Sequence, residues 1–347
     1  MMHHRSKSVL RVVGILLGLA VVVVGVKWTG VSAIRAALSR VGVNIAWMFA
    51  AYAAGTVVAA FPWRRLFPRQ EQPSRGATIA SRFAASGLNA LVPFFGLGET
   101  ARLLWLPRGD RSPGLAALIV DRLLFLAAGA PILIVAALAA TRVPAVPRSY
   151  EMVALVSAAV ILAAVAGIGA GAAHGRLAGK MRWALLLFGV APIVNGTRGN
   201  GAAGNNGAAA GNNAAAGNTD RIDSELRGII TGSRARLAAG FALHLLARLL
   251  LAAEIFAGLH ILGAHVGPLE TMVFIGIPIG LSVIGTFVPG QIGLQEGASA
   301  LVAAALGIGP ATGIALVFLQ RLRQLVFVPL AGLLIALVPY GPRTPEP

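Results

Sequence analysis

The sequence predicts an all-α, polytopic integral membrane protein with about seven to nine apolar helices. Three observations carry this prediction. Hydrophobic residues make up 57% of the 347-residue chain and charged residues only 12%, where a soluble domain carries about 25% charged residues. Apolar runs long enough to cross a bilayer recur along nearly the whole length. These runs are continuous Ala/Leu/Val stretches, unlike the alternating short strands of a transmembrane barrel.

The apolar segments fall at 10–26, 45–61, 77–93, 99–106, 115–140, 152–173, 237–262, 269–288, 294–306 and 311–338. The first follows a basic lead, as in a signal peptide, but no A-x-A-like cleavage site comes after it, so a retained transmembrane helix is expected. Several segments are short for about 30 Å of hydrocarbon and are interrupted by Gly and Pro, the signature of broken or re-entrant helices. Residues 1–340 read as one membrane domain. Its first half is 1–173 and its second half 237–340. Between them, 174–236 forms a loop containing the low-complexity Gly/Asn/Ala stretch 195–220, which has almost nothing to bury and is expected to be a flexible linker.

The net charge is +17. On a soluble chain this would suggest nucleic acid. On a membrane chain, Lys and Arg gather in cytoplasmic loops and attract anionic headgroups, so no nucleic-acid partner is expected. Arg5, Lys7 and Arg11, then Arg64, Arg65, Arg69 and Arg75, then Arg176, Lys180 and Arg182 with the rest of the middle loop, place the N-terminus and 174–236 in the cytoplasm. The expected location is a multi-pass position in the inner (plasma) membrane of a bacterium. The first loop, with Lys27, Arg35 and Arg40, would be external yet basic. There are no cysteines, which excludes disulfides, thiol nucleophiles and thiolate metal sites. The histidines show no ligand spacing, and no P-loop, H-E-x-x-H or G-x-S-x-G motif appears, so neither metal nor cofactor is expected.

The two halves share an ordered pattern. Val92-Pro93 and Val288-Pro289 each precede a Gly-Leu pair, Gly96-Leu97 or Gly293-Leu294. Glu99 or Glu296 follows, then Pro113 or Pro310, then Asp121-Arg122 or Gln320-Arg321. Glutamate and arginine stand 23 apart in one copy and 25 in the other. With the loop charges above, the copies enter from opposite faces, which makes this an inverted repeat. Pro93 and Pro289 remove donors, and Gly96, Gly98, Gly290 and Gly293 permit turns and close approach. Such breaks survive in a membrane only inside protein or beside a polar cavity. Each restarting helix offers its N-terminus to an anionic group.

Four of the 12 acidic residues are expected to be membrane-embedded: Glu99, Asp121, Glu254 and Glu296. So are Arg102, Arg122, Arg248, Arg321 and Arg323. A charge at mid-bilayer costs about 2.5–3.5 kcal/mol on lenient scales, so these groups face the protein interior or a cavity and are functional candidates. Glu99 and Arg102 share a helix face, whereas Arg321 and Arg323 point differently. Asn89 is placed to satisfy backbone groups freed by the break. His244 and Arg248 share a face. The pairs Gly167-x-x-x-Gly171 and Gly276-x-x-x-Gly280 suggest helix packing.

At these residues the chain resembles the membrane region of lysylphosphatidylglycerol synthase and its stand-alone flippase-like relatives. The first motif, N-x-x-x-P…G-x-G-[ED]-x-x-R followed by D-R, falls on Asn89, Pro93, Gly96, Gly98, Glu99, Arg102, Asp121 and Arg122. The second falls on Pro289, Gly290, Gly293 and Glu296, with Arg321 downstream. Gln291 stands where the family usually has glycine, and no soluble aminoacyl-transferase domain follows, so no enzyme activity is expected. The resemblance implies translocation of an anionic or modified phospholipid, or another lipid-linked substrate, between leaflets. In that role Arg102, Arg122 and Arg321 would hold phosphate, with Glu99 and Glu296 orienting them. A membrane-embedded transferase or accessory subunit for lipid-linked sugars, and a purely structural subunit, are the alternatives; a homo-oligomer is left open.

Overall fold

The computed structural model describes residues 41–67, 72–91, 98–99, 102–105, 112–174, 207–284 and 293–337, together with 32, 35 and 39. Among these residues every regular element is helical. The segment expected at 10–26 and the break residues Pro93, Gly96, Pro289 and Gly290 lie outside the described residues.

Helix α1 (Ile45–Val58) gives way at Ala59–Ala60 to α2 (Phe61–Leu66), which has Pro62 in its first turn. A proline is tolerated there because its missing N–H would have no helical partner. Helix α3 (Arg75–Leu91) stops before the first Val-Pro pair, as the restriction on a residue preceding proline requires. Of the helix expected over 99–106, residues 100, 101 and 106 lie outside the described residues. Gly98 and Glu99 are helical, and Arg102–Trp105 forms a single 3-10 turn. Pro107 lies two residues on, which disfavours continuation.

Helices α4 (Ser112–Ala127) and α5 (Gly129–Thr141) together form a 30-residue apolar span. Next come α6 (Arg148–Ala173), α7 (Gly207–Gly232), α8 (Arg234–Ile261), α9 (Pro268–Ile284), α10 (Leu294–Ala305) and α11 (Pro310–Leu337). Among the described residues, four stretches are long and apolar enough to cross a membrane: Ile45–Leu66, Ser112–Thr141, Arg148–Ala173 and Arg234–Ile261. The chain is thus an all-α polytopic membrane protein.

Helix α6 shows how such a span divides its faces. Ala154, Ser157, Ala158 and Ile161 are buried, while Met152, Val153, Leu155, Val156, Val160 and Leu162 point away from the protein. Small residues inside with large apolar residues outside is the reverse of a soluble helix and suits packing in lipid.

The chain divides into two compact units that interleave in sequence. One comprises 1–55, 128–162 and 245–326, and the other 56–127, 163–244 and 327–347. In the former, α5 packs on α9. A side chain at Gly276 would collide with Tyr150, whose hydroxyl donates to the Val273 carbonyl, and a Cβ at Gly280 would lie 3.9 Å from Ser157 and 4.0 Å from Leu133. The Gly276/Gly280 spacing therefore serves packing. A Cβ added at Gly167 would meet nothing within 4 Å, so the same expectation fails for it.

In the latter unit, the core joins Trp63, Leu66 and Leu103 to Leu115–Val120 of α4, Ile168 and Ala172 of α6, and Ile222 and Leu226 of α7. Helix α4 is buried all round, as an apolar helix inside a bundle should be. Of the linker expected over 195–220, residues 195–206 lie outside the described residues, while 207–220 are helical, being part of α7. Alanine-rich sequence has high helix propensity, and Ile222, Leu226, Ile229 and Ile230 make an apolar face that docks on the core.

The natural absence of cysteine allows single reporters. A cysteine at Val156 should resist a membrane-impermeant maleimide in unsealed membrane fragments, where both faces are open to the reagent, while one at Arg221 reacts. Equal labelling would refute the lipid-facing placement of α6.

Candidate functional site

The end of α3 and the chain after the break meet at Gly98. Its N–H donates to Asn89 Oδ1 at 3.0 Å. A Cβ at Gly98 would run into the Ala85 carbonyl, so only glycine permits this approach. Asn89 is thereby committed to the backbone. This contact places Glu99 against the inner face of α3.

Glu99 uses both of its oxygens. Oε1 accepts from Arg82 Nη1 at 2.8 Å and Oε2 from Arg102 Nη1 at 3.1 Å. Arg102 Nη1 also donates to Asp121 Oδ2 at 2.7 Å. His244 Nε2 donates to the remaining Asp121 oxygen at 2.9 Å. Arg102 is fully buried and lies 4.5 Å from the Trp63 ring. Its Nε and Nη2 have no partner among the described residues. Arg122 differs from the rest. Its Nη1 is 3.9 Å from Glu99 Oε1, beyond hydrogen-bond reach, and 36% of its side chain is uncovered. Its guanidinium lies 4.9 Å from the Phe125 ring.

The second copy of the repeat is simpler. Gly293 has φ of 85°, a left-handed conformation that favours glycine. Its N–H donates to Glu296 Oε2 at 2.8 Å, so the third residue of α10 closes the start of its own helix. Glu296 Oε1 accepts from Arg321 Nε at 2.7 Å and also from Nη2. Gln295 Nε2 donates to Gln320 Oε1 at 3.2 Å. Thus the glutamate and arginine that the repeat equates meet in both copies, loosely as Glu99–Arg122 and tightly as Glu296–Arg321. The two copies lie in different compact units.

The diverging directions expected for Arg321 and Arg323 are present. Arg323 turns to the buried Glu254 and lies 3.7 Å from the Tyr52 ring. Arg248 packs 3.2 Å from the Cβ position of Gly129.

Sequence reasoning missed Arg82 as a partner of Glu99. A signal existed, since Arg82 lies seven residues before Asn89 and thus on the same helix face. It also left His244 without a carboxylate, because Asp121 is 123 residues away in the chain.

Fold and site together define a polytopic α-helical membrane protein that carries buried, hydrogen-bonded ion pairs. The chain belongs to the family of the lysylphosphatidylglycerol synthase TM region, whose model matches residues 12–332. Comparisons with curated proteins and with solved structures gave no match.

Removing one partner of a buried pair costs about 3–5 kcal/mol, whereas a partly uncovered pair is worth about 0–1 kcal/mol. Asp121→Asn should therefore lower the melting temperature in detergent markedly, and Arg122→Gln should barely change it. Equal losses would show that Arg122 belongs to the structural network.

Proposed function

We propose that the protein is a flippase-like transporter that moves an anionic or modified phospholipid, or another lipid-linked molecule, between the leaflets of a bacterial inner membrane. The observation that carries this reading is the charge cluster around Glu99. It sets three guanidinium groups against two carboxylates within a membrane protein and leaves Arg122 without a hydrogen bond among the described residues. Intramembrane charge is expensive and is retained mainly where a polar group must pass. Membership of the family points the same way.

In this reading the Glu99 cluster receives the headgroup, and the tightly paired Glu296–Arg321 is its counterpart in the second half. Entry of the two copies from opposite faces would let the halves alternate access to a headgroup. A role as acid or base in lipid-linked sugar transfer has less support. Both oxygens of Glu99, of Asp121 and of Glu296 already accept from named donors, which leaves no idle carboxylate oxygen for proton transfer. A purely structural role has no use for the uncovered Arg122.

The test is leaflet exchange of a fluorescent phospholipid in proteoliposomes. The protein should accelerate exchange, and Arg122→Ala and Glu296→Ala should each slow it by about tenfold, equivalent to 1.4 kcal/mol. Unchanged rates in both folded variants would end the transport assignment.

A further inference from the structure

We infer that the two copies of the repeat have diverged in charge. The Glu99 copy binds a phosphate monoanion through Arg122, with Arg82 beside it. The Glu296 copy is closed to such a ligand. This rests on reading the Glu99 cluster as a headgroup site, and it narrows the headgroup.

The geometry begins with one oxygen atom. Glu99 Oε1 faces both Arg82, at 2.8 Å, and Arg122, at 3.9 Å. The same two guanidiniums also approach one ring, lying 5.8 and 4.9 Å from the centre of Phe125. Two like charges therefore converge where a single carboxylate oxygen stands, and that oxygen bonds only one of them. Arg102 cannot share the load outward, because it is fully buried and bridges Glu99 to Asp121. Three arginines against two carboxylates leave the cluster one positive charge in excess. That excess lies towards Arg122, the least covered of the three arginines.

A guanidinium with free donors matches phosphate through two parallel hydrogen bonds. One phosphodiester would neutralise the cluster without displacing Glu99 from Arg82 or Arg102. A headgroup cation is disfavoured, since the cluster already carries excess positive charge and each oxygen of Glu99 and Asp121 already accepts a hydrogen bond. A net anionic headgroup is thereby favoured over a zwitterionic or aminoacylated one.

The equivalent residues of the other copy differ at each point. Arg102 is replaced in register by Ser299, and Asp121 by Gln320. Arg321 spends two nitrogens on Glu296 Oε1, while Gly293 occupies the other oxygen. Charge there already sums to zero, and an incoming anion would have to break that pair.

The experiment measures binding of fluorescent phosphatidylglycerol and phosphatidylcholine to the full chain in detergent. A second arm follows thermal shift with inorganic phosphate. Phosphatidylglycerol should bind about tenfold more tightly, Arg122→Gln should erase the preference, and Arg221→Gln, a surface charge removed as a control, should keep it. An Arg122-dependent thermal shift with inorganic phosphate would identify free phosphate as a ligand of the same site. A lipid preference alone would identify the headgroup. Equal binding of the two lipids with no phosphate shift, or a preference that survives Arg122→Gln, would overturn the inference. Arg122-dependent preference without leaflet exchange would uphold it while ending the transport assignment. Exchange indifferent to headgroup charge would do the reverse.

Discussion

Burial of Arg102 is the constraint on which the site depends. A guanidinium with no exposed surface inside a membrane protein persists only if carboxylates neutralise it at hydrogen-bond distance. Glu99 and Asp121 do so, and each is fixed by further partners. Asp121 comes from the centre of α4, held on all sides by the core. Glu99 is positioned beside the end of α3 by the Gly98–Asn89 hydrogen bond. One buried cation thus ties Glu99 to the most deeply packed helix. The same arrangement leaves Arg122 over, because the two carboxylates are already committed when it arrives.

The equivalent glutamates show two uses of one pattern. Each follows a glycine that the backbone requires, Gly98 for close approach and Gly293 for its left-handed conformation. Each meets the arginine that the repeat assigns to it. What separates them is the middle of the motif. Arg102 and Asp121 in one copy put further charge into the network, whereas Ser299 and Gln320 in the other do not. A loose ion pair over a charged floor and a tight pair over a neutral one have different capacities for a ligand. The first can accept an anion, and the second can only exchange one partner for another.

Membrane character was legible in the sequence because it depends on composition and run length. Residues 115–140 and 152–173 return as apolar spans, each bound within four residues of the expected one. The importance of Glu99, Asp121 and Glu296 was legible because a charge in an apolar run needs a reason. Partners distant in sequence were not. Nothing in the local pattern around Asp121 indicates His244, and Arg82 looks like an ordinary charge on an amphipathic helix until α3 is set against Glu99. The expectation for 207–220 erred in physical terms. Low hydrophobicity suggested a linker, but alanine propensity and the docking of Ile222 and Leu226 suffice for a helix. The failure at Gly167 has a similar cause, because a small-residue spacing marks an interface only when another helix comes to it.

An experimental structure in bilayer discs rich in phosphatidylglycerol tests the central claim most directly. The account predicts a phosphate bound to Arg122 at about 2.7–2.9 Å, with Glu99 still holding Arg82 and Arg102, and the Glu296–Arg321 pair intact. Arg122 closed onto Glu99 with no lipid beside it, or a phosphate on Arg321 instead, would contradict the account.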